Sequence, residues 1–401
     1  MPGDLSSPLI SVALAVKNGM PHLRRAIESL QRQTYRNFEL IVHDGTSKDD
    51  SVAFIRAAQD IPRIDIESAP DRSIADGYDL AYRRCRGDLV HTLGCDEILE
   101  PYALEMFAKW YRKHPEAVMV YGDYNLIDAA DRIVATVRPG PFDLLKYLKL
   151  KMSPATGPAF LNRRLIGAEL YQDGSLLAAG DRELYVRLAL KFGEERFVKK
   201  SGLIMNLRSD PVSQSFRLED YNKFIATGVK VIENIFAEPL LSLLRCYLVQ
   251  KGVASADAPT AGPLSSGEQA LKQEFLFHGY AHKAELVYSL AGDCEQYRSY
   301  VMAAARFKPE PERLAALLRN TGALEFDPAT KAVRIKRPAP AVPPPGTTRS
   351  RGALSASGTR VLPHWAAVGA RRRWRFRSID VHTPPNHWSY AAILPIDQHK
   401  I

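Results

Sequence analysis

Short β-branched runs alternate with amphipathic helical stretches from residue 9 to about residue 207, and this alternation most constrains the fold. Residues 9–16 (LISVALAV), 38–43 (FELIVH) and 88–93 (DLVHTL) are typical of buried strands. Between the first two runs, apolar residues recur at helical spacing over residues 23–30, which gives one apolar helix face. The repeated βαβ units predict an α/β fold with a mostly parallel sheet and flanking helices.

Acidic residues follow the third of these strands directly. In an open parallel sheet, ligands bind beyond the carboxyl ends of the strands, so the residues there are the first to inspect. Asp96 and Glu97 lie at such a place, and carboxylate oxygens are the ligands that Mg²⁺ and Mn²⁺ prefer. The same pair is also typical of a solvated turn that caps the next helix. The spacing alone does not decide between a metal site and a capping turn.

Two other acidic positions allow the same pair of interpretations. Asp44 and Asp49 flank a turn of small residues after the second strand. A carboxylate there can accept hydrogen bonds from a base or a ribose, or it can belong to an ordinary βα turn. Asp181 follows Gly180 and opens a helical pattern, so it is either a functional acid or a plain N-cap.

The order of these segments resembles a known family. Residues 9–51 contain a strand that ends before an Asn, a helix that ends in S-L-x-x-Q-T-Y, and the run E-L-I-V-x-D-G-x-S-x-D. Residues 70–101 resemble a segment running from D-x-G-I-x-D-A through A-x-G-D to a D-x-D region, and residues 120–128 and 176–190 continue the likeness. Over about residues 9–215 the chain looks like a family 2 glycosyltransferase with the GT-A fold, a Rossmann-like and mostly parallel sheet.

The resemblance implies roles for particular residues. It places the donor nucleotide against Val16, Asn18, Asp44, Asp71, Asp76 and Cys95, a divalent metal on Asp96, and the general base at Asp181. It further implies an inverting transfer, dependent on Mg²⁺ or Mn²⁺, from a nucleotide-diphosphate sugar to a hydroxyl group. The expected donor is UDP-linked, the expected acceptor is a glycan or is lipid-linked, and the expected pathway is cell-surface polysaccharide biosynthesis.

Some positions depart from the family pattern. Gly94 replaces the first Asp of D-x-D, Ser73 replaces a Gly, and Thr156 and Gly157 stand near the place of a His. Glu97 is one methylene longer than the Asp expected there. These departures motivate an alternative, a catalytically degenerate family member that binds a nucleotide sugar or a partner without turnover.

Other classes of protein fit the sequence poorly. A dinucleotide-dependent enzyme would also show βαβ units, but its G-x-G-x-x-G turn does not occur at residues 16–20. Cys85, Cys95, Cys246 and Cys294 lie far apart without a C-x-x-C pair, which indicates neither a disulfide framework nor a zinc site. The sequence also contains no apolar run long enough for a transmembrane helix. We therefore expect a cytoplasmic protein.

The positive charge is concentrated at the C-terminus. The net charge is +9, and residues 331–401 alone hold 13 Lys/Arg against 2 Asp/Glu. This argues against nucleic-acid binding, which needs basic charge spread over a folded face. The Pro-rich composition of residues 331–401 predicts a disordered tail after a GT-A domain (1–215) and a helical extension (216–330). The tail is either solvated without a partner, or its Arg-rich residues 371–377 place the protein peripherally at the inner face of a membrane.

Overall fold

The computed structural model describes most of the chain up to residue 307 and two short strands beyond it. The described residues are 7–149, 157–176, 178, 180–208, 218–255, 261–291, 299–301, 303–304, 306–307, 324–327 and 332–335. Thr156 and the arginine-rich segment 371–377 lie outside them, as does the predicted tail apart from residues 332–335. The predictions that this tail is disordered and that it contacts a membrane therefore concern residues outside the described part of the chain.

The strands within the described residues fall into one large sheet and one separate pair. The large sheet contains β1 (Ile10–Val16), β2 (Phe38–Asp44), β3 (Ile64–Ser68), β4 (Leu89–Leu93), β5 (Ile98–Leu99), β6 (Met119–Ile127), β7 (Ile133–Val137), β8 (Ala159–Asn162) and β9 (Phe197–Arg208). The separate antiparallel pair is β10 (Leu324–Asp327) with β11 (Ala332–Ile335).

The helices cover the sheet and continue beyond it. They are α1 (Leu23–Gln31), α2 (Ser51–Arg56), α3 (Ile74–Arg84), α4 (Ala103–Lys113), α5 (Leu144–Leu148), α6 (Arg163–Ile166), α7 (Gly180–Phe192), α8 (Leu218–Ile235), α9 (Leu240–Gln250) and α10 (Ser266–Ala291). Within the described part of the chain, no helix is long and apolar enough to cross a bilayer.

The large sheet is mostly parallel, as predicted. Its order is β3-β2-β1-β4-β8-β6-β9-β5, with β7 attached to β6. β1 pairs in parallel with β2 and β4, β2 with β3, and β6 with β9, whereas β8 is antiparallel to both β4 and β6. The strands β1–β4, β6 and β9 therefore share one direction. Their carboxyl ends lie along one side of the sheet, called the carboxyl edge below.

Helices pack on both faces of this sheet. Val12 and Leu14 of β1 belong to a buried cluster with α1 and α4, whereas Ala13 belongs to a second cluster with α3 and α7. Neighbouring residues of a strand point to opposite faces, so a strand covered on both sides must be apolar at nearly every position. This explains why residues 9–16 are apolar apart from Ser11.

The C-terminal helices extend the second cluster. Ile232 of α8, Leu244 of α9 and Phe275 of α10 are buried in the same cluster as Leu184 and Leu188 of α7. The helical extension therefore packs directly on the helix that begins at Gly180–Asp181 and holds it against the sheet.

Two features of the C-terminal region differ from the sequence-based expectation. The spacing predicts short antiparallel helices over residues 266–320, but residues 266–291 form the single helix α10. This stretch contains no Pro, Gly267 lies in its first turn, and the interior Gly279 is tolerated inside a helix. The strand pair β10–β11 was not predicted, and it lies across the predicted boundary between residues 330 and 331. The domain boundaries themselves stay predictions.

Candidate active site

The predicted site residues lie along the carboxyl edge. Val16 and Asp44 are register partners at the ends of β1 and β2. Cys95 and Asp96 follow β4, which pairs with the other side of β1. Asp181 is the second residue of α7. The fold thus brings segments from four places in the sequence to one edge of the sheet.

The loops after β1 and β2 are fastened to each other. The backbone N–H of Gly45 donates to the Val16 carbonyl (2.8 Å), and the backbone N–H of Asn18 donates to the Ser47 hydroxyl (2.8 Å). In return, the Lys48 amide donates to the side-chain oxygen of Asn18 (2.8 Å). Asn18 has a φ of 54°, a left-handed conformation that Asn adopts more readily than most residues. The amide oxygen of Asn18 therefore fixes the loop.

Asp44 is buried and already hydrogen-bonded. Its carboxylate accepts from the Ser47 amide (3.1 and 3.2 Å to its two oxygens) and from the Ser68 hydroxyl at the end of β3 (2.7 Å). Only 1% of the residue is exposed. The carboxylate thus has a fixed orientation in the absence of any ligand.

Asp76 is the partner of a neighbouring arginine. The backbone amide of Arg72 and its Nε each donate to Asp76 Oδ2 (3.0 Å), and Nη2 donates to Oδ1. These hydrogen bonds lower the pKa of the Asp76 carboxyl. The Asp76 amide in turn donates to Ser73, the N-cap of α3 (3.2 Å). Ser73, where the family has a Gly, therefore stabilises the start of this helix.

Asp71 lies close to both of these acids, and its surroundings favour the protonated form of its carboxyl group. Burial raises the pKa of its carboxyl, and the nearby Asp76 and Asp44 add to this, while His43 and Lys17 act in the opposite direction. Oδ2 of Asp71 lies 3.5 Å from Nε2 of His43. Three of the residues predicted to bind the donor nucleotide are therefore close enough to influence each other electrostatically, namely Asp44, Asp71 and Asp76.

A second group of acids lies beyond β4. The Glu97 carboxylate accepts from the Gly94 amide (2.7 Å), which closes the turn between them. Burial, together with the charges of Asp96 and Asp181, raises the pKa of Glu97 to about 8. The structure thus brings Asp96 and Glu97 close to Asp181, although more than 80 residues of sequence separate them. We call these three residues the acidic cluster.

Gly157 forms one wall of the acidic cluster. A Cβ atom at this position would lie 2.9 Å from Oε1 of Glu97 and 2.5 Å from Sδ of Met205. Both atoms lie at the ends of flexible side chains, so a side chain at position 157 would require Glu97 and Met205 to move.

Two tyrosines lie beneath the acidic cluster. The Tyr78 hydroxyl donates to the Leu93 carbonyl (3.1 Å), and the Tyr82 hydroxyl contacts Thr92 Oγ1 (2.6 Å) and accepts from Gln172 (3.2 Å). Burial raises the pKa of both phenols, and the charges of Glu97 and Asp96 add to the effect at Tyr78. Both rings belong to α3, the helix that also contains Asp76, so α3 connects Asp76 with the acidic cluster.

Comparison with known proteins identifies the domain. Residues 11–166 match the model of Glycosyl transferase family 2. The chain carries a family 2 glycosyltransferase domain. The matched segment extends from β1 to β8 and includes every residue that the sequence assigned to the nucleotide or the metal. Asp181 lies beyond the match.

Two relatives match about a third of this chain and a smaller part of their own length. Chondroitin synthase from Escherichia coli is 28% identical over 129 residues, which is 32% of this chain and 19% of the synthase. The O-antigen biosynthesis protein RfbC from Myxococcus xanthus is 31% identical over 126 residues, 30% of this chain and 10% of that protein. The chain therefore spans less than a fifth of the length of either relative.

A solved structure shares the fold. S. aureus TarS superimposes with a TM-score of 0.50 and 16% identity, covering 77% of this chain and 50% of TarS. At this identity the likeness concerns the fold, which is of the GT-A type.

The acidic cluster of the family 2 domain fits a particular kind of cation site. Among the described residues, no three His, Cys, Asp or Glu side chains are arranged to hold a metal ion by themselves. Mg²⁺ and Mn²⁺ are often bound by one or two carboxylates, with substrate phosphates and water completing the shell. Asp96 with Glu97 suits that arrangement, whereas Gly94 removes the carboxylate that would have made the protein site more complete.

Several residues of the site were not found from the sequence. Ser68 ends a strand that was not predicted, and His43 and Lys17 lie next to predicted residues without forming a recognisable motif. Tyr78 and Gly157 contribute through contacts that join distant segments. Cys95 is half-buried, and its Cβ lies 3.5 Å from the place that a Cβ of Gly19 would occupy. It therefore packs against the loop after β1.

Proposed function

We propose that this protein is an inverting glycosyltransferase that moves a sugar from a nucleotide-diphosphate donor to a hydroxyl acceptor. The observation that carries the proposal is the acidic cluster. Asp181 at the start of α7 acts electrostatically on Glu97, and Asp96 and Glu97 adjoin the side of the sheet that holds Asp44 and Asp71. A candidate base, a candidate cation site and a candidate nucleoside pocket thus occupy neighbouring positions on one edge.

The nucleoside of the donor is assigned to the pocket at Asp44 and Asp71. Carboxylates accept hydrogen bonds from the N–H groups of a base and the hydroxyls of a ribose. Phosphate groups would be repelled by the same carboxylates, so we place the diphosphate at the other end of the site, beside Asp96. UDP is the proposed nucleotide.

Mg²⁺ or Mn²⁺ is the proposed cofactor, with Asp96 as its ligand and Glu97 beside it. Such a cation neutralises the charge that develops on the leaving diphosphate. Glu97 already holds the turn by accepting from Gly94, and this contact keeps the carboxylate of Asp96 next to it.

Asp181 is the proposed general base. It would accept the proton of the acceptor hydroxyl while the hydroxyl oxygen forms its bond to the anomeric carbon. The bond from that carbon to the diphosphate oxygen breaks in the same step, and the electron pair leaves with the nucleoside diphosphate. One displacement inverts the configuration, and it requires no covalent intermediate on the protein.

Cell-surface polysaccharide biosynthesis is the proposed pathway, with a glycan or a lipid-linked hydroxyl as acceptor. The names of the chondroitin synthase and of the O-antigen biosynthesis protein support this direction. Both relatives match over only part of their length, so the acceptor proposal rests on the shared domain.

The proposed function is tested by nucleoside diphosphate release. The full chain is incubated with UDP-sugars, GDP-sugars and simple acceptor glycans, with Mn²⁺ or with a chelator, and Asp181→Asn serves as the inactive control. We expect release that needs both the cation and Asp181. Release that is unchanged in Asp181→Asn would contradict the assigned mechanism.

The degenerate alternative makes a different prediction in the same experiment. Gly94 in place of an acid favours it. A degenerate member would bind nucleotides in calorimetry yet release no diphosphate from any donor with either cation.

The basic tail provides a separate proposal about location. We propose that residues 371–377, with five Arg around Trp374 and Phe376, hold a cytoplasmic enzyme at an anionic membrane surface. Deleting residues 338–401 should lower co-sedimentation with anionic vesicles at low salt and leave donor hydrolysis unchanged. Equal sedimentation of both forms would reject the membrane contact.

A further inference from the structure

His43 is a buried polar residue that the proposed mechanism does not use. It is the residue before Asp44 on β2, and it is 0% exposed. Within the described part of the chain, neither ring nitrogen of His43 has a hydrogen-bond partner. A buried N–H without a partner costs free energy, so nearly all such groups are paired in folded proteins. An imidazole at this position therefore needs an explanation.

The His43 ring faces the Asp71 carboxylate. Nε2 of His43 lies 3.5 Å from Oδ2 of Asp71, slightly too far for a hydrogen bond. The same oxygen lies against two glycines. A Cβ on Gly45 would collide with it, and a Cβ on Gly77 would lie 3.5 Å from it and 3.4 Å from the His43 ring. Because Gly45 and Gly77 have no side chains, the carboxylate of Asp71 and the imidazole of His43 can face each other.

A second buried histidine shows what an ordinary core position looks like. His91 on β4 is also 0% exposed, but its Nδ1 contacts the Ala159 carbonyl at 2.8 Å and its ring lies 5.2 Å from that of Phe107. His91 is held by the core through both contacts. His43 has no such hydrogen bond and faces a carboxylate of the proposed nucleoside pocket.

We propose that His43 is a positioning residue that holds Asp71 in place when the nucleoside of the donor binds. Hydrogen bonds of a site are often long without ligand and shorten in the complex. In the bound state Nε2–H donates to Asp71 Oδ2, and the carboxylate accepts an O–H or N–H group of the nucleoside. The proposal rests on the proposed function, because it names how one side of that pocket is built.

The surrounding charges limit what Asp71 can bind. Asp44 and Asp76 both act on Asp71, and Lys17 is the nearby cation of the loop after β1. An anionic group such as phosphate would meet three carboxylates here. A neutral hydrogen-bond donor, a ribose hydroxyl or a base N–H, suits the position.

Two amide variants provide a matched test. His43→Gln keeps an N–H near the place of Nε2, whereas the amide of His43→Asn is one methylene too short to reach Asp71. Both bury one amide, so a general effect of polarity is the same in each. Affinities for UDP, GDP, CDP and ADP are measured by calorimetry without metal, and the tightest of the four is used for all variants.

We expect His43→Asn to weaken nucleotide binding by about tenfold, as for the loss of one hydrogen bond to a charged group. His43→Gln should recover most of that loss. The donor KM should rise in His43→Asn while kcat changes by less than about twofold, because Asp71 contacts only the nucleoside. Equal affinities of His43→Asn and His43→Gln would overturn the proposal.

A double-mutant cycle with Asp71→Asn tests whether His43 acts through Asp71. If it does, His43→Asn has little further effect in the Asp71→Asn background. The same loss in both backgrounds would assign His43 a role that is independent of Asp71. The 2′-deoxy counterpart of the chosen nucleotide then identifies the group that Asp71 accepts. An effect of His43→Asn that disappears with this analogue indicates the ribose hydroxyl, and one that persists indicates the base.

A measurement on the unmodified chain does not depend on the folding of any variant. The side-chain N–H signal of His43 should shift downfield in NMR spectra when the nucleotide is added, because its hydrogen bond to Asp71 shortens. An unchanged signal in the presence of bound nucleotide rejects this inference alone. If none of the four nucleotides binds, the proposed function fails and the inference fails with it.

Discussion

The two sides of the carboxyl edge differ in how far the chain's own hydrogen-bond donors stabilise their carboxylates. On the nucleoside side, Asp44 accepts from Ser47 and Ser68, and Asp76 is paired with Arg72. In the acidic cluster, burial raises the pKa of Glu97 to about 8, and the charges of Asp96 and Asp181 add to the effect. The chain's own donors thus stabilise two of the three carboxylates on the first side, whereas the second side brings three acidic side chains together.

This difference assigns the two sides different tasks. Groups that are already oriented bind a neutral ligand without paying to reorganise. Crowded carboxylates gain most when a cation arrives, because its charge relieves their repulsion. We therefore expect substitutions on the nucleoside side to change donor affinity, and substitutions in the acidic cluster to change turnover or the response to metal.

The largest effect is expected for Asp181→Asn. Loss of the base should lower turnover by about 100-fold or more, while the donor affinity stays within about twofold, because a general base acts in the transition state. Nucleoside diphosphate release and calorimetry measure the two quantities.

Asp60→Asn is the matched control for this change. Asp60 is exposed, and its positive φ of 60° suits Asn as well as Asp. Near-normal turnover of Asp181→Asn would remove Asp181 from the mechanism and weaken the contrast between the two sides.

Asp96→Ala should have the next largest effect, and only when a cation is present. Donor binding with Mn²⁺ is expected to weaken by about tenfold or more, whereas binding of the nucleoside without metal should be unchanged, because a cation held by Asp96 would act on the diphosphate and not on the base. Calorimetry with and without Mn²⁺ makes the comparison. Equal loss in both conditions would indicate that Asp96 supports the pocket structurally.

Asp44→Asn should act on the nucleoside side alone. The amide would place an N–H₂ group near Ser47 and Ser68, which now donate to the carboxylate, and we expect a loss of about tenfold in nucleoside affinity. Turnover at saturating donor should change little. A fall in turnover as large as that of Asp181→Asn would break the proposed division of the site.

The smallest effect is expected for Ser68→Ala. It removes one of the donors to Asp44, while the Ser47 amide continues to hold the carboxylate. A single neutral donor contributes about 1 kcal/mol, so nucleoside affinity should fall by about two- to fivefold. In the Asp44→Asn background the same change should have almost no effect, and a full loss there would show that Ser68 acts on something else.

The nucleoside side was the easier one to predict from sequence. Val16, Asn18 and Asp44 lie in strand and turn patterns of one continuous stretch, and local periodicity and turn chemistry determine such features. Ser68 was missed because β3 contains exposed and half-buried residues and lacks the long apolar run of a central strand.

The acidic cluster was only partly predictable. Asp96 and Asp181 were found through a resemblance, but nothing local indicates that they approach each other or that Gly157 forms a wall beside Glu97. Those relations depend on how β8, β9 and α7 pack on the sheet, and no spacing along the chain encodes that packing. The pairing of His43 with Asp71 has the same origin.

The buried apolar cluster that α7 shares with α8, α9 and α10 connects the proposed base, Asp181, to a region without any of the proposed site residues. Elements that share a core tend to unfold together. A ligand or a modification that weakens the packing of α10 would also weaken the packing that positions Asp181. The C-terminal helices therefore offer a means of regulating the proposed activity from a distance. Because these helices share one core with α7, residues 216–291 are difficult to replace with the corresponding segment of a relative. A foreign helix would have to reproduce the surface that packs against α7 and positions Asp181.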